Sequence, residues 1–381
     1  MLSEIPKVAL LVDTSYGVRR DMLLGMTRFV RQHGPWSLYI AGGEHKDALP
    51  KMKEWGGHGV IARIPDARTE QSIIEAGVPT ITLCLAAERK GVRKSLPFVS
   101  NVTFDAAEEV ARLAVQHFVE RRFRNYGFVG VDAPWSQGRE TAFCNRLREF
   151  GLDVIVYRQP QRVGVRAWEH EQSVLTQWIA NLPKPIAILA CNDDRGRQVL
   201  EACRFAGVDV PEEVAVLGVD NDEVFCEVAD PPLSSIVLDA ESAGYAAAEV
   251  LDGMIRGRVT RPGDVCVKAT GIVTRRSTDV FALNDPDVSA ALKFIRRQHG
   301  CGISVSDVAA EVATSRRTLE KQFRKIVGRT ILDEIQRARL EHAKELLLET
   351  SHPVSRIAML AGFRTPDYFV RFFEQRVGVT P

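Results

Sequence analysis

Over the first 275 residues, short apolar runs alternate with stretches whose apolar positions recur at helical spacing. Val8–Val12, Leu38–Ile40, Val60–Ile64, Thr80–Leu83, Tyr126–Val131, Val154–Tyr157, Ile186–Ala190 and Val214–Val219 read as strands. Between them Asp21–Gln32, Asp47–Trp55, Thr69–Ala76, Phe104–Glu120, Arg139–Phe150, Trp168–Asn181 and Arg195–Phe205 read as helices. Glu241–Ile255 adds a helix and Val265–Val267 a strand-like run. An apolar run of four to six residues without alternation marks a strand buried on both faces. Such strands separated by helices imply a parallel sheet covered on both sides. A segment of this length predicts two such sheets, hence a two-lobed, doubly wound α/β body.

The character then changes. Thr274–Asp287 is polar and carries the turn signal Asn284-Asp285-Pro286; from Val288 onward only helical periodicity remains. The expected organisation is a body over 1–275, a linker over 276–287 and an all-α domain over 288–381.

That last domain contains a degenerate repeat of about fifty residues. VSDVAAEVATSRRTLEKQFRKIVGRT begins at Val305, and VSRIAMLAGFRTPDYFVRFFEQRVGVT begins at Val354. Val305, Val308 and Ala309 match Val354, Ile357 and Ala358. Ser315, Leu319, Phe323, Val327 and Gly328 match Thr365, Phe369, Phe373, Val377 and Gly378. Each copy has the grammar of a helix-turn-helix. A short helix with a small residue at the crossing (Ala309, Ala358) leads to a turn, and a Ser or Thr then caps the second helix. Pro366 stands at the first position of that helix in the second copy, where its missing N–H costs nothing.

In the second helices Leu319, Phe323 and Val327, and likewise Phe369, Phe373 and Val377, recur every four residues and should face a core. Arg317, Glu320, Lys321 and Arg324 lie elsewhere around the first, and Asp367 and Arg371 around the second. Taken singly, each charge is equally well a solvated surface residue. Together they suit double-stranded DNA, because the start of such a helix enters the major groove, where Arg or Lys can bond guanine O6 and N7. Arg316 and Arg364, at the mouths of the two helices, belong to the same candidate interface. Ile331–Glu349 is a long helix able to hold the two units apart, as two successive grooves about 34 Å apart require.

Composition adds direction. The net charge is +1, so the chain as a whole points to no polyanion or membrane. From Phe281 to Pro381, however, 16 Lys and Arg face 12 Asp and Glu, while the remainder carries 34 against 37. A mildly basic tail on a mildly acidic body points to DNA at the C-terminal end. The seven cysteines show no CxxC and no zinc-ligand spacing, as expected of reduced thiols in the cytoplasm. No apolar stretch suits a signal peptide or a membrane span. No metal site is expected. There is no GxGxxG after a strand, no GxxxxGK[ST], no GxSxG and no HExxH, and His170-Glu171 has no partner histidine. The expectation is a non-enzyme without cofactor. The alternative is a sugar-processing α/β enzyme with an accessory helical interaction module.

Two resemblances sharpen this. RRTLEKQF (316–323) followed by Gly328, and AGF (361–363) with YFVRFFEQRVGVTP (368–381), resemble the DNA-binding domain of the AraC/XylS family. That resemblance implies base reading by Arg317, Glu320 and Lys321 in the first unit and by Asp367 and Arg371 in the second. Pro366 occupies a position where the family often has a polar reader. AILACNDD (187–194), VAVLGVDN (214–221) followed by PPLSSI (231–236), and WSQGRETAF (135–143) resemble the LacI/GalR-type, periplasmic-binding-protein-like sensor. Together they imply a homodimeric activator that recruits RNA polymerase and answers to a small sugar, xylose or a related monosaccharide.

The chemistry of the matching residues suits such a ligand. Ligands of open α/β sheets bind beyond the C-terminal strand ends, where Asn192, Asp193 and Asp220 fall. Carboxylates and amides match the donors and acceptors of sugar hydroxyls. Arg139 offers fixed-geometry donors, and Trp135 and Tyr16 offer rings for the apolar sugar face. Asp13 and Asp105 are further candidates. Each has a plainer reading: capping for Asp220 and Asn192, an ion pair for Arg139, and loop packing for Trp135 and Tyr16.

Overall fold

The computed structural model describes residues 5–40, 52–64, 66–83, 98–104, 106–159, 167–260, 262–279, 285–350 and 352–381. The chain divides into two compact units, Met1–Val280 and Phe281–Pro381.

In the first unit the order is β1 (Lys7–Leu11), α1 (Gly17–His33), β2 (Ser37–Ile40), α2 (Met52–Trp55), β3 (Gly59–Arg63), α3 (Ala67–Ala76), β4 (Thr80–Leu83) and β5 (Val99–Thr103). There follow α4 (Ala107–Glu120), β6 (Asn125–Val129), α5 (Pro134–Arg148), β7 (Val154–Tyr157), α6 (Ala167–Ala180), β8 (Ile186–Ala190), α7 (Asp193–Ala206), β9 (Val214–Asp220), α8 (Glu223–Val228) and β10 (Ser234–Leu238). α9 (Ala240–Ile255), β11 (Val265–Cys266), β12 (Ala269–Val273) and a 3-10 turn, Arg276–Thr278, complete it.

The strands form two six-stranded sheets, ordered β11-β5-β4-β3-β1-β2 and β12-β10-β9-β8-β6-β7. All neighbours are parallel except β10 and β12. The expected two-lobed α/β body is therefore observed. Every side chain of β8 is buried, as are six of seven in β9, which explains their unbroken apolar runs. The chain passes between the sheets three times: through α4, between β10 and α9, and between β11 and β12. Each lobe thus contains strands from both halves of the unit.

β5, β10 and β12 escape a search for apolar runs. Ser100, Asn101, Ser234 and Ser235 are buried inside β5 and β10. Their polar groups are satisfied internally: the Ser100 hydroxyl donates to Gly263 O at 2.6 Å and that of Ser235 to the Asp193 carboxylate at 2.5 Å. The anticipated helix over Asp47–Trp55 is seen as Met52–Trp55, its earlier residues lying outside the described ones. The expected linker spans 276–287. Ser277 and Thr278 are fully buried within the body, and the first helix of the second unit begins at Pro286.

Helix α1 packs on α9 through two glycines. A Cβ on Gly25 would lie 1.8 Å from the Glu241 carbonyl oxygen, and one on Gly244 would lie 2.0 Å from that of Met22. Both obstacles are backbone, so no rotamer change relieves them. Gly25→Ala is expected to cost about 3 kcal/mol, at the upper end for overpacking, and to lower the first unit's melting temperature in a calorimetric scan.

The second unit comprises α10 (Pro286–Gln298), α11 (Val305–Glu311), α12 (Arg316–Val327), α13 (Ile331–Glu349), α14 (Val354–Leu360) and α15 (Pro366–Val377). The repeat is visible in three dimensions. α11 and α14 have seven residues each and α12 and α15 twelve. Ser315 and Thr365 cap the second helices at the N–H groups of Thr318 and Tyr368. Gly328 and Gly378 end them in the left-handed conformation, at φ 82° and 86°. The first half of α13 supplies Ile331 and Ile335 to one core, with Leu319, Phe323 and Val327; its second half supplies Leu340 and Ala343 to another, with Phe369 and Phe373. One stripe residue departs from expectation. Val327 is buried beneath α13, whereas no corresponding helix covers Val377 among the described residues, leaving it 37% exposed. Phe372 joins the buried face instead. Among the described residues no helix is long and apolar enough to cross a membrane.

Candidate functional site

The C-terminal ends of β8 and β9, joined through Arg139, form one side of the cleft between the lobes, and the start of α1, after β1, meets them from the other through Gly17 and Arg20. At its centre is Arg139, on the first turns of α5 and 5% exposed. Its guanidinium donates to the Cys191 carbonyl at 2.5 Å and lies 3.6 Å from the Asp220 carboxylate. It also sits over the ring of Trp135, 5.4 Å from its centroid. Burial pushes the Asp220 carboxyl up to about 6, against the pull of Arg139 and of Arg19 from the other lobe. Asp220 and Asn221 both have positive φ, 109° and 53°. Two consecutive non-glycine residues in that region store backbone strain of the kind that collects at functional sites.

The other aspartates of this region have distinct tasks. Asp193 is 1% exposed and accepts from Ser235 Oγ and from the Asp222 N–H, at 2.5 and 2.7 Å. Those bonds place it beneath the cleft surface. Burial, with the Asp220 charge beside it, pushes its carboxyl well above the usual carboxylate range. Asn192 accepts from the Arg195 N–H at 3.0 Å and caps α7, as its plainer reading has it. Asp13, on the first lobe, accepts from the Ser15 N–H and from Arg19 at 2.9 and 2.7 Å. Although burial opposes it, these donors hold its carboxyl below the ordinary value. Tyr16, 37% exposed, lies under the Arg19 guanidinium at 4.6 Å. Trp135 is 45% exposed, so both rings reach the surface. Asp105 lies outside the described residues.

A bridge between the lobes that sequence reasoning missed is made by Asp222. Its carboxylate accepts from the Gly17 N–H at 2.6 Å and from Arg20 at 3.3 Å, both on the other lobe. α1 has no cap from its own chain neighbour, and Asp222 supplies a carboxylate to its positive end across the cleft. A Cβ on Gly17 would lie 2.8 Å from the Asp222 carboxyl carbon, so this approach needs glycine. Asp222 falls just beyond the VAVLGVDN run that singles out Asp220, and only the fold brings it to Gly17.

On the helical unit, Arg316, Arg317, Lys321 and Arg324 of α12 are exposed, as are Arg364, Asp367 and Arg371 at α15. Arg316 pairs with half-exposed Glu320 at 2.9 Å, leaving Arg317 and Lys321 outward. Arg371 Nε donates to the Asp367 carbonyl at 3.3 Å. The connecting helix α13, 19 residues or about 28 Å long, is fastened to both sides. Arg339 donates to Ile303 O at 2.7 Å, and Gln336 to the Tyr368 hydroxyl at 3.1 Å. Glu334, fully buried, holds Arg329 and Arg337. The two helix-turn-helix cores therefore share one rigid element.

A two-lobed sensor with a double helix-turn-helix domain defines a DNA-binding transcriptional regulator rather than an enzyme. The family models agree: residues 115–278 match the periplasmic binding protein-like domain and residues 308–381 a helix-turn-helix domain. The chain is 30% identical over its whole length to the xylose operon regulatory protein of Escherichia coli (strain K12), covering 97% of that protein. It is 27% identical to the protein of that name in Haemophilus influenzae, covering 98% of it. It matches the structure of the xylose-binding transcription activator xylR with a TM-score of 0.77 at 28% identity, covering 100% of this chain and 98% of that one. The chain belongs to the family of xylose operon regulatory proteins, an AraC-type DNA-binding domain joined to a LacI/GalR-type sensor.

Proposed function

We propose that this protein is a transcriptional activator controlled by a monosaccharide, xylose or a close relative, held between the lobes. The observation that carries this reading is the Arg139–Asp220 pair. It puts a buried cation on α5 beside a largely buried carboxylate at the end of β9, with the exposed ring of Trp135 against the cation and that of Tyr16 on the other lobe. Adjacent sugar hydroxyls act at once as donors and acceptors and match such a pair, while the C–H face of the sugar ring suits the aromatic rings. Asp13 and Asn192 extend the polar wall, and Asp193 braces it. The names of the relatives at 27–30% identity support xylose as the first sugar to test.

Sugar that binds the closed lobes more tightly than the open ones shifts the sensor toward closure. In a homodimer in the cytoplasm, closure sets where the DNA-binding domains reach. Arg317, Glu320 and Lys321 then read bases in one groove and Asp367 and Arg371 in the next, with Arg316, Arg324 and Arg364 on phosphates. RNA polymerase is recruited from the resulting complex.

Two measurements test this. In a thermal-shift panel of pentoses, hexoses and sugar acids, D-xylose at about 100 times its Kd should stabilise the protein by about 2.7 kcal/mol; a panel without any shift refutes the sugar reading. Affinity for promoter fragments should fall steeply with salt through counterion release. Replacing both Lys321 and Arg371 by alanine should weaken binding by about 10- to 100-fold, with sugar binding intact. Unchanged DNA affinity would refute the assigned helices.

A further inference from the structure

The turn Asp220–Asn221–Asp222 is where the two lobes meet, and its middle residue leads away from the cleft. The Asn221 N–H donates to Ser235 Oγ at 3.0 Å, and its side-chain oxygen accepts from Arg275 Nη1 at 3.0 Å. The same Nη1 donates to the Leu233 carbonyl at 3.0 Å, and Nε donates to Glu227, on α8, at 2.8 Å. α8 is itself capped by Asp222. One guanidinium, 14% exposed, thus joins the cleft turn, the helix that follows it and the approach to β10.

Arg275 is also held by its backbone. Its N–H donates to Ser234 Oγ at 2.8 Å, and its carbonyl accepts from that hydroxyl at 2.9 Å. The next three residues form the 3-10 turn from which the chain leaves for the helical unit. Ser277 Oγ donates to Val216 O in the middle of β9, at 2.6 Å. The Thr278 hydroxyl bonds Ser234 Oγ at 2.8 Å and His117 Nε2 at 2.9 Å, and the Thr278 carbonyl accepts from Arg121 at 2.9 Å. Burial pushes the His117 imidazole down to about 3, so this ring is neutral at physiological pH. His117 and Arg121 sit at the end of α4, one of the three crossings between the lobes. The exit is therefore clamped, and of the two buried serines adjacent on β10, Ser234 bonds the exit while Ser235 bonds Asn221 of the cleft turn and Asp193 beneath it.

We propose that Arg275 is the positioning residue that transmits the state of the cleft to the DNA-binding domain. Lobe movement displaces Asp222, which touches both lobes. Asn221, its covalent neighbour, moves with it, and Arg275 carries that movement into the exit turn. A planar guanidinium bonded to several elements at once passes on a displacement that a flexible ammonium does not. This inference rests on the reading that a sugar in the cleft controls DNA binding.

The test uses the full chain, D-xylose, and a duplex selected from random sequence by the wild-type protein. Sugar affinity is measured by calorimetry and duplex affinity with and without sugar. Arg275→Lys should leave sugar affinity and sugar-free duplex affinity within about threefold of wild type. It should cut the sugar-induced change in duplex affinity, typically about 5- to 150-fold where two sites are coupled, to less than about a third. Asn221→Gly keeps the positive φ, removes the acceptor and should lower the same ratio; it carries the test if the lysine variant misfolds. Combining the two should lower the ratio no further than either alone. An unchanged ratio in a folded variant overturns the role of Arg275 and leaves the cleft reading standing. If wild type shows no sugar dependence of duplex binding, the cleft reading fails and takes the coupling with it.

Discussion

Asp220→Asn is expected to weaken sugar binding by about 100-fold, the loss of one strong charge-assisted hydrogen bond, and at the same time to stabilise the sugar-free protein at neutral pH. The folded carboxyl titrates at about 6 and a free one at 3.8. Folding therefore favours the protonated form. The stability associated with that proton is fully present below pH 3.8 and is lost as pH rises through 6. At pH 7.5 the wild-type protein carries the cost of a buried charge, at most about 3 kcal/mol. Asparagine removes that cost, and it tolerates a positive φ. Arg139, whose pull that shift already contains, keeps the Cys191 carbonyl in the variant, and burial of the new polar amide offsets part of the gain. The net result should be a melting temperature about 3 °C higher at pH 7.5, with the difference gone at pH 4. A variant that melts lower at pH 7.5, or that binds sugar normally, contradicts the assignment of Asp220. The combination of lost affinity and gained stability is the signature of a residue kept for function.

Phe323→Ala should abolish DNA binding while sparing the sensor. Phe323 is fully buried in the first helix-turn-helix core, among Leu319, Val327, Ile331 and Ile335. Truncating such a ring costs about 3–5 kcal/mol, a large part of what a hundred-residue unit possesses. Because α13 serves both cores, loss of the first should loosen the second. Calorimetry should show the helical unit melting early or already unfolded at 25 °C, with the sugar-dependent transition of Met1–Val280 retained. Duplex binding at full strength would mean that the first unit is dispensable for recognition. A sensor that melts together with the helical unit would mean that the two fold as one.

The contrast between these residues shows what the sequence alone decides in this protein. Phe323 and its counterpart Phe373 are legible because an α-helix obeys local rules. Apolar residues four apart share a face, a Ser or Thr at the start satisfies free N–H groups, and a glycine at the end adopts positive φ. All of these conditions lie within a few positions of one another, so both helix-turn-helix units could be read directly. The same holds for β8 and β9, whose unbroken apolar runs follow from burial on both faces.

The cleft is another matter. Asp193, Asp220 and Asp222 are the same residue type at neighbouring strand ends, yet one is buried under Ser235, one pairs with Arg139 and one crosses to the other lobe. What separates them is the direction each side chain takes and the partner waiting there. Gly17 and Asp222 are 205 positions apart, and Arg275 meets Asn221 across 54. Buried polar strands such as β5 and β10 are hidden for the same reason, since Ser100 and Ser235 are tolerable inside only because distant segments accept their hydroxyls. Local pattern settles which elements form; the order in which they pack settles which of their charges meet, because a polar side chain takes its meaning from the atoms that packing brings to it.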